Sequence, residues 1–105
     1  MITIIARFKM QAGKEEEALQ STRKMAEAVQ ANEPGALAYF AHRSQEDPLE
    51  IMFFEVYAGD DAFQAHAQTP HMAEMRSAFP QLFDVSQVKV ERWERVGGFA
   101  RPEAG

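Results

Sequence analysis

The chain has no cysteine among its 105 residues, which excludes disulfides, thiolate nucleophiles and thiolate-held zinc in one step. Long apolar runs are missing too. Runs such as Ile4-Ile5-Ala6 and Ile51-Met52-Phe53-Phe54 fall far short of the ~20 residues a membrane-spanning helix requires. The first ten residues set Arg7 and Lys9 inside an alternating pattern instead of an apolar export signal. The expectation is a cytoplasmic protein with no membrane partner. Positive charge is scarce: eleven Lys+Arg against sixteen Asp+Glu leave a formal net charge of -5. Such a field repels phosphate backbones and argues against nucleic acid as a partner. Equally absent are a glycine-rich phosphate loop, a nucleophile elbow and a paired-histidine zinc helix. What remains, 46% apolar and 26% charged residues, is the composition of a folded domain with one modest core.

Ile2, Ile4, Ala6, Phe8 and Met10 alternate with Thr3, Arg7 and Lys9, the period of a strand. After Gly13, the carboxylates Glu15-Glu16-Glu17 suit the positive end of a helix dipole, and Ala18, Thr22, Met25, Ala26 and Val29 recur at helical spacing. Asn32-Glu33-Pro34-Gly35 breaks this helix. Residues 37–43 and 50–58 read as a hairpin around the turn Gln45-Glu46-Asp47-Pro48. Asp60 is expected to cap a short helix over 61–67, and Thr69-Pro70 starts another that Pro80 ends. Residues 85–96 return to strand character, and 97–105 form a flexible tail. The order strand, helix, strand, strand, broken helix, strand predicts one ferredoxin-like α+β domain over residues 1–96, a βαββαβ sandwich with a four-stranded antiparallel sheet. Phe53 and Tyr57 are expected on the uncovered sheet face, where a second copy would shield them in a homodimer.

Three histidines, His42, His66 and His71, are the side chains whose ordinary titration lies near neutrality. His66 shares an apolar stripe with Ala62 and Phe63, so its ring needs a partner, from backbone or from Glu55. Glu55 interrupts an otherwise apolar strand and must be paired, neutralised or left facing a wet cavity. A structural ion pair with Arg7, Arg43 or Arg92 and a catalytic role both satisfy that need. A metal set of His66, His71 and Glu55 is not assigned, because a five-residue histidine spacing across a helix break matches no zinc motif. Phe53, Phe63, Met72 and Met75 are the candidates for contact with a flat apolar ligand, with plain core packing as the alternative. Trp93 suits a subunit seam.

The opening strand ending in Gly13-Lys14-Glu15-Glu16, the Glu33-Pro34-Gly35 turn, Glu55-Val56-Tyr57, and Asp61-Ala62-Phe63-Gln64-Ala65-His66 followed by Thr69-Pro70-His71 together resemble the antibiotic biosynthesis monooxygenase (ABM) family of dimeric α/β barrels. The resemblance covers about residues 1–95, a normal domain length. It implies several possible reactions, since family members include cofactor-free oxygenases of phenols and quinols, haem-degrading enzymes and an isomerase of a phosphorylated sugar derivative. The haem-degrading pattern calls for asparagine, tryptophan and histidine where this chain has Ala6, His66 and Arg76. The resemblance therefore implies a cofactor-independent monooxygenase that needs neither flavin nor metal and takes a small aromatic phenol or quinol with dioxygen. His66 would act as general base, Glu55 as its partner or a second acid/base, Tyr57 as donor to the substrate oxygen, and His71 as a proton shuttle. The alternatives are an isomerase of a small phosphorylated metabolite and a noncatalytic small-molecule-binding barrel.

Overall fold

The computed structural model describes residues 1–103, and the alternating opening segment forms β1 (Ile2–Lys9). Gly13 turns the chain in the left-handed region, at φ +87°, which glycine enters at little cost. Its amide donates to Glu15 Oε1 at 2.7 Å as α1 (Glu15–Asn32) begins. Ala18, Thr22, Met25 and Val29 make the buried stripe of α1, and the Thr22 hydroxyl is satisfied by donating to the Ala18 carbonyl at 2.8 Å. The hairpin follows as β2 (Ala36–Arg43) and β3 (Glu50–Tyr57), then α2 (Asp60–Ala67), α3 (Pro70–Leu82) and β4 (Lys89–Trp93). The sheet is antiparallel throughout, in the order β2-β3-β1-β4. This is the expected ferredoxin-like α+β fold.

Register decides which sheet face the helices cover. Ile4 lies opposite Glu55, Ala6 opposite Phe53 and Phe8 opposite Ile51, so the apolar set of β1 fixes Ile51, Phe53, Glu55 and Tyr57 onto the same side. That side is the covered one. Phe53 and Tyr57 are 2% and 0% exposed, which corrects their expected place on the open face. The error has a physical source: β3 is apolar on both faces, and its own alternation cannot say which one meets the helices. The open face instead carries Ile5, Phe54 and Phe40 in register, with Trp93 nearby opposite Thr3. Phe40 and Trp93 are each 54% exposed there.

The main core joins Ala6, Met10, Ile51 and Phe53 of the sheet side to Ala18, Leu82 and Phe83. Phe8 meets Phe53, Phe79 and Phe83 edge-on at centroid distances of 5.5, 5.2 and 5.8 Å, a favourable orientation for ring quadrupoles. This packing also explains why Pro80 does not end α3. The helix continues to Leu82 because Leu82 and Phe83 are buried and the Phe83 amide donates to the Phe79 carbonyl at 2.8 Å. β4 is shorter than the span 85–96, since β1 pairs only with 89–93. Asp84 draws the residues that follow it into a turn, accepting from the amide and hydroxyl of Ser86 and from Gln87 Nε2. Asp60 is not a cap: Gly59 holds that position, and the Asp60 carboxylate pairs with Arg92. The proposed tail at 97–105 has no regular secondary structure through residue 103, and its last two residues lie outside the described ones. No helix among the described residues is long and apolar enough to cross a membrane.

The turn after α1 is pressed against α2. A Cβ on Gly35 would sit 2.6 Å from Ala62 Cβ, too close for two atoms fixed rigidly to their backbones. Gly35→Ala is expected to lower stability by about 1–3 kcal/mol, the usual cost of overpacking. In urea denaturation the double variant Gly35→Ala/Ala62→Gly should be no less stable than Ala62→Gly alone; a persisting deficit would show that the close approach is not the cause.

Candidate functional site

α1 ends beside Pro34, and Glu33 becomes its C-cap, its amide donating to the Val29 carbonyl at 2.9 Å. The Gly35 contact with α2 holds this turn beneath the short helices. The Glu33 side chain is thereby buried, only 8% exposed. Above it, His66 lies in the last turn of α2. The Thr69 hydroxyl donates to the His66 carbonyl at 2.8 Å and accepts from the Met72 amide at 3.2 Å. One side chain thus closes α2 and caps α3, and the tight junction brings His71, the second residue of α3, back beside His66. The two ring centroids are 6.5 Å apart.

Both rings meet the same carboxylate. His66 Nδ1 lies 2.9 and 3.0 Å from the two oxygens of Glu33, and His71 Nε2 lies 2.5 Å from Oε2. The side chains of His66 and His71 are 6% and 14% exposed. An ionised carboxylate only accepts, so the facing ring nitrogens donate. For neutral His66 this places the proton on Nδ1 and leaves Nε2 with a lone pair, and Nε2 makes no hydrogen bond among the described residues.

The sheet supplies the other wall. Tyr57 donates to Glu55 Oε1 at 2.5 Å, and Tyr39 on β2 lies opposite Glu55 in register. The His66 ring is 5.4 Å from that of Tyr57 and 5.7 Å from that of Tyr39. Burial raises the affinity of Glu55 for its proton, opposed by the Tyr57 hydrogen bond and by the neighbouring His66. Burial, followed by the negative charge of Glu55, also pushes both tyrosines well above the ordinary phenol range. Tyr39 and Tyr57 therefore stay protonated and act as donors, not as proton acceptors.

His66, His71, Glu55 and Tyr57 are brought together, but not in the expected pairs. The partner of His66 is Glu33, not Glu55. None of the arginines considered for Glu55 pairs with it among the described residues: Arg92 meets Asp60, and Arg43 donates to the Pro48 carbonyl at 2.6 Å. Glu33 and Tyr39 were not read as site residues. Glu33 did carry a signal, because a carboxylate at a helix C-terminus is placed against the dipole and needs some other reason to be there.

Of the four apolar candidates, Met75 lines a groove of about 340 Å³ between α1 and α3, together with Ser21, Met25, Ala28 and His71. His71 thus links the buried cluster to an opening at the surface. Phe63 packs against Tyr57 at 5.2 Å between ring centroids. Phe53 sits in the core between Phe8 and Tyr39, and Met72 is half-buried next to His71.

These features define the class, a ferredoxin-like α+β domain whose covered sheet face and short helices enclose an acid–base cluster. The chain belongs to the antibiotic biosynthesis monooxygenase family, whose profile matches residues 1–78. Solved structures share the whole fold. A Caulobacter crescentus protein described as an antibiotic biosynthesis monooxygenase is 28% identical, with a TM-score of 0.84 over 91% of this chain and 90% of that one. PA3566 from Pseudomonas aeruginosa is 24% identical, with a TM-score of 0.82 over 91% and 94%. Rv0793 from Mycobacterium tuberculosis is 21% identical, with a TM-score of 0.83 over 94% and 98%. No protein of curated function matches.

The raised proton affinity of Glu55 has a sign that stability measurements can read. The folded chain holds this proton more tightly than the unfolded chain, so the favourable contribution is complete below the ordinary value of 4.5 and is lost as pH rises through the higher folded value. Glu55→Gln, which keeps an acceptor for Tyr57, is expected to match the parent at pH 4 and to be the more stable protein at pH 7. Urea denaturation at both values checks this; an equal effect at both would contradict it.

Proposed function

We propose that the protein is a cofactor-independent monooxygenase oxidising a small aromatic phenol or quinol with dioxygen. The observation that supports this most directly is the Glu33–His66 pair, in which a carboxylate held on Nδ1 orients the ring and leaves Nε2 as the base beside Tyr39, Tyr57 and Glu55. His66 Nε2 takes the phenolic proton, and Tyr39 stabilises the resulting oxyanion by donating a hydrogen bond, joined by Tyr57 when its hydroxyl turns from Glu55 to the substrate oxygen. The phenolate is electron-rich enough to add dioxygen at ring carbon. Loss of water from the hydroperoxide then leaves one oxygen atom on the ring as a carbonyl, with both electrons drawn from the substrate. Glu55 is the second acid/base of this scheme, and His71 passes protons between the cluster and the groove. Phe63, Met72 and Met75 supply apolar contact for the ring, while Phe53 supports Tyr39 from the core. The open sheet face belongs in this proposal as the seam of a homodimer, with Phe40, Phe54 and Trp93 against a second copy.

Oxygen uptake by metal-stripped protein, measured across hydroquinones and polycyclic phenols and corrected for spontaneous oxidation, is expected to exceed background. His66→Ala should lower the rate by roughly 10²–10⁴-fold, the range of general-base contributions. A folded His66→Ala variant that keeps the parent rate would remove the ring from the mechanism. For the assembly, sedimentation should give twice the chain mass of 11.8 kDa, and Trp93→Glu should shift the protein toward the single-chain mass. A parent protein sedimenting as single chains would overturn the seam.

A further inference from the structure

We infer that Glu33, His66 and His71 form a binding site for a borderline divalent transition metal of the zinc class, one that takes no part in the oxygen chemistry proposed above and competes with it for His66. Three elements deliver one donor each: the end of α1, the last turn of α2 and the first turn of α3. The donor atoms of these residues all lie within 4.8 Å of one another. The contacts to Glu33 span 2.5 to 3.0 Å. Metal–ligand bonds of about 2.0–2.2 Å set tetrahedral donors roughly 3.3–3.6 Å apart, so the Glu33 contacts must widen, that to His71 the most, and any wider donor pair must close, changes within the reach of side-chain rotation that put a cation in place of the shared protons.

The donor chemistry selects the ion. Two imidazoles and one carboxylate suit zinc, cobalt, nickel or ferrous iron, whereas magnesium and calcium favour all-oxygen shells. Three protein ligands leave at least one coordination position for water or a ligand atom, the arrangement of an open site rather than a closed structural one. His71 faces the α1–α3 groove, which supplies an entry path. The chain's net charge of -5 favours the approach of a cation. The linear spacing concealed this set, since the carboxylate comes from Glu33, 33 residues before His66, and not from Glu55. A metal on Nδ1 of neutral His66 also leaves the ring proton on Nε2, so metal occupancy and the base role exclude one another.

The test titrates metal-free parent protein with Co²⁺, following its visible absorption, and then displaces it with Zn²⁺ in the absence of any substrate. One Co²⁺ per chain, with the intense bands of a tetrahedral or five-coordinate ion that vanish on adding Zn²⁺, is the expected result. Glu33→Gln and His71→Ala, each shown to be folded by circular dichroism, should weaken binding by at least about 100-fold, because even outer-shell partners of metal ligands contribute roughly 10–100-fold. His42→Ala, which removes a histidine of the opposite sheet face, should bind as the parent does. Absence of saturable binding by the parent at micromolar protein, or equal binding by the Glu33 and His71 variants, would overturn the site. Neither result bears on oxygen uptake by metal-stripped protein, so the failure of one proposal is distinguishable from the failure of the other.

Discussion

A buried carboxylate held by two imidazoles organises this protein. Glu33 is enclosed where an unpaired charge would cost several kcal/mol, and the nitrogens of His66 and His71 are its compensation. The need is reciprocal. His66 lies on a helix stripe among apolar residues and has to satisfy a ring nitrogen there, which Glu33 does from the end of another helix. Because one interaction meets both needs, the ends of α1, α2 and α3 are fixed to one point, and the catalytic geometry proposed here is inseparable from the packing of the short helices.

The supporting structure is arranged around that point. The glycine at position 35 lets the turn approach Ala62; Thr69 joins the two short helices through opposite ends of one hydroxyl group; the β1–β3 register turns Glu55 and Tyr57 toward the same interior. Farther away, the Phe8, Phe53, Phe79 and Phe83 cluster provides the apolar burial that holds the sheet and α3 together. The polar cluster and the aromatic core share the covered face of the sheet. Tyr39 is their boundary, its ring against Phe53 on one side and His66 on the other.

Much of the fold was legible in the chain itself, because alternation in β1, the helical stripe of α1 and the Thr69-Pro70 start are local signals with local causes. The orientation of β3 was not, since both its faces are apolar and only pairing with β1 distinguishes them. Pro80 misled for a related reason: its missing donor weakens a helix locally, but burial of Leu82 and Phe83 carries the helix on to Leu82. His66, Glu55, Tyr57 and His71 stood out as polar groups in apolar company. Glu33 did not, because its setting in Asn-Glu-Pro-Gly reads as a solvent-exposed break, and its burial follows from a contact with residues about thirty positions later. The family resemblance carried the fold as a whole, while the identity of the carboxylate beside His66 came only from three-dimensional placement.

The account turns on which nitrogen of His66 bears the proton. Long-range proton–nitrogen NMR of metal-free protein, with the His66 signals assigned by comparison with His66→Ala, reads the neutral tautomer directly. The account predicts a protonated Nδ1 and an unprotonated Nε2, with that preference weakened in Glu33→Gln. A neutral ring carrying its proton on Nε2 would contradict it, since His66 would then have no lone pair to offer the substrate.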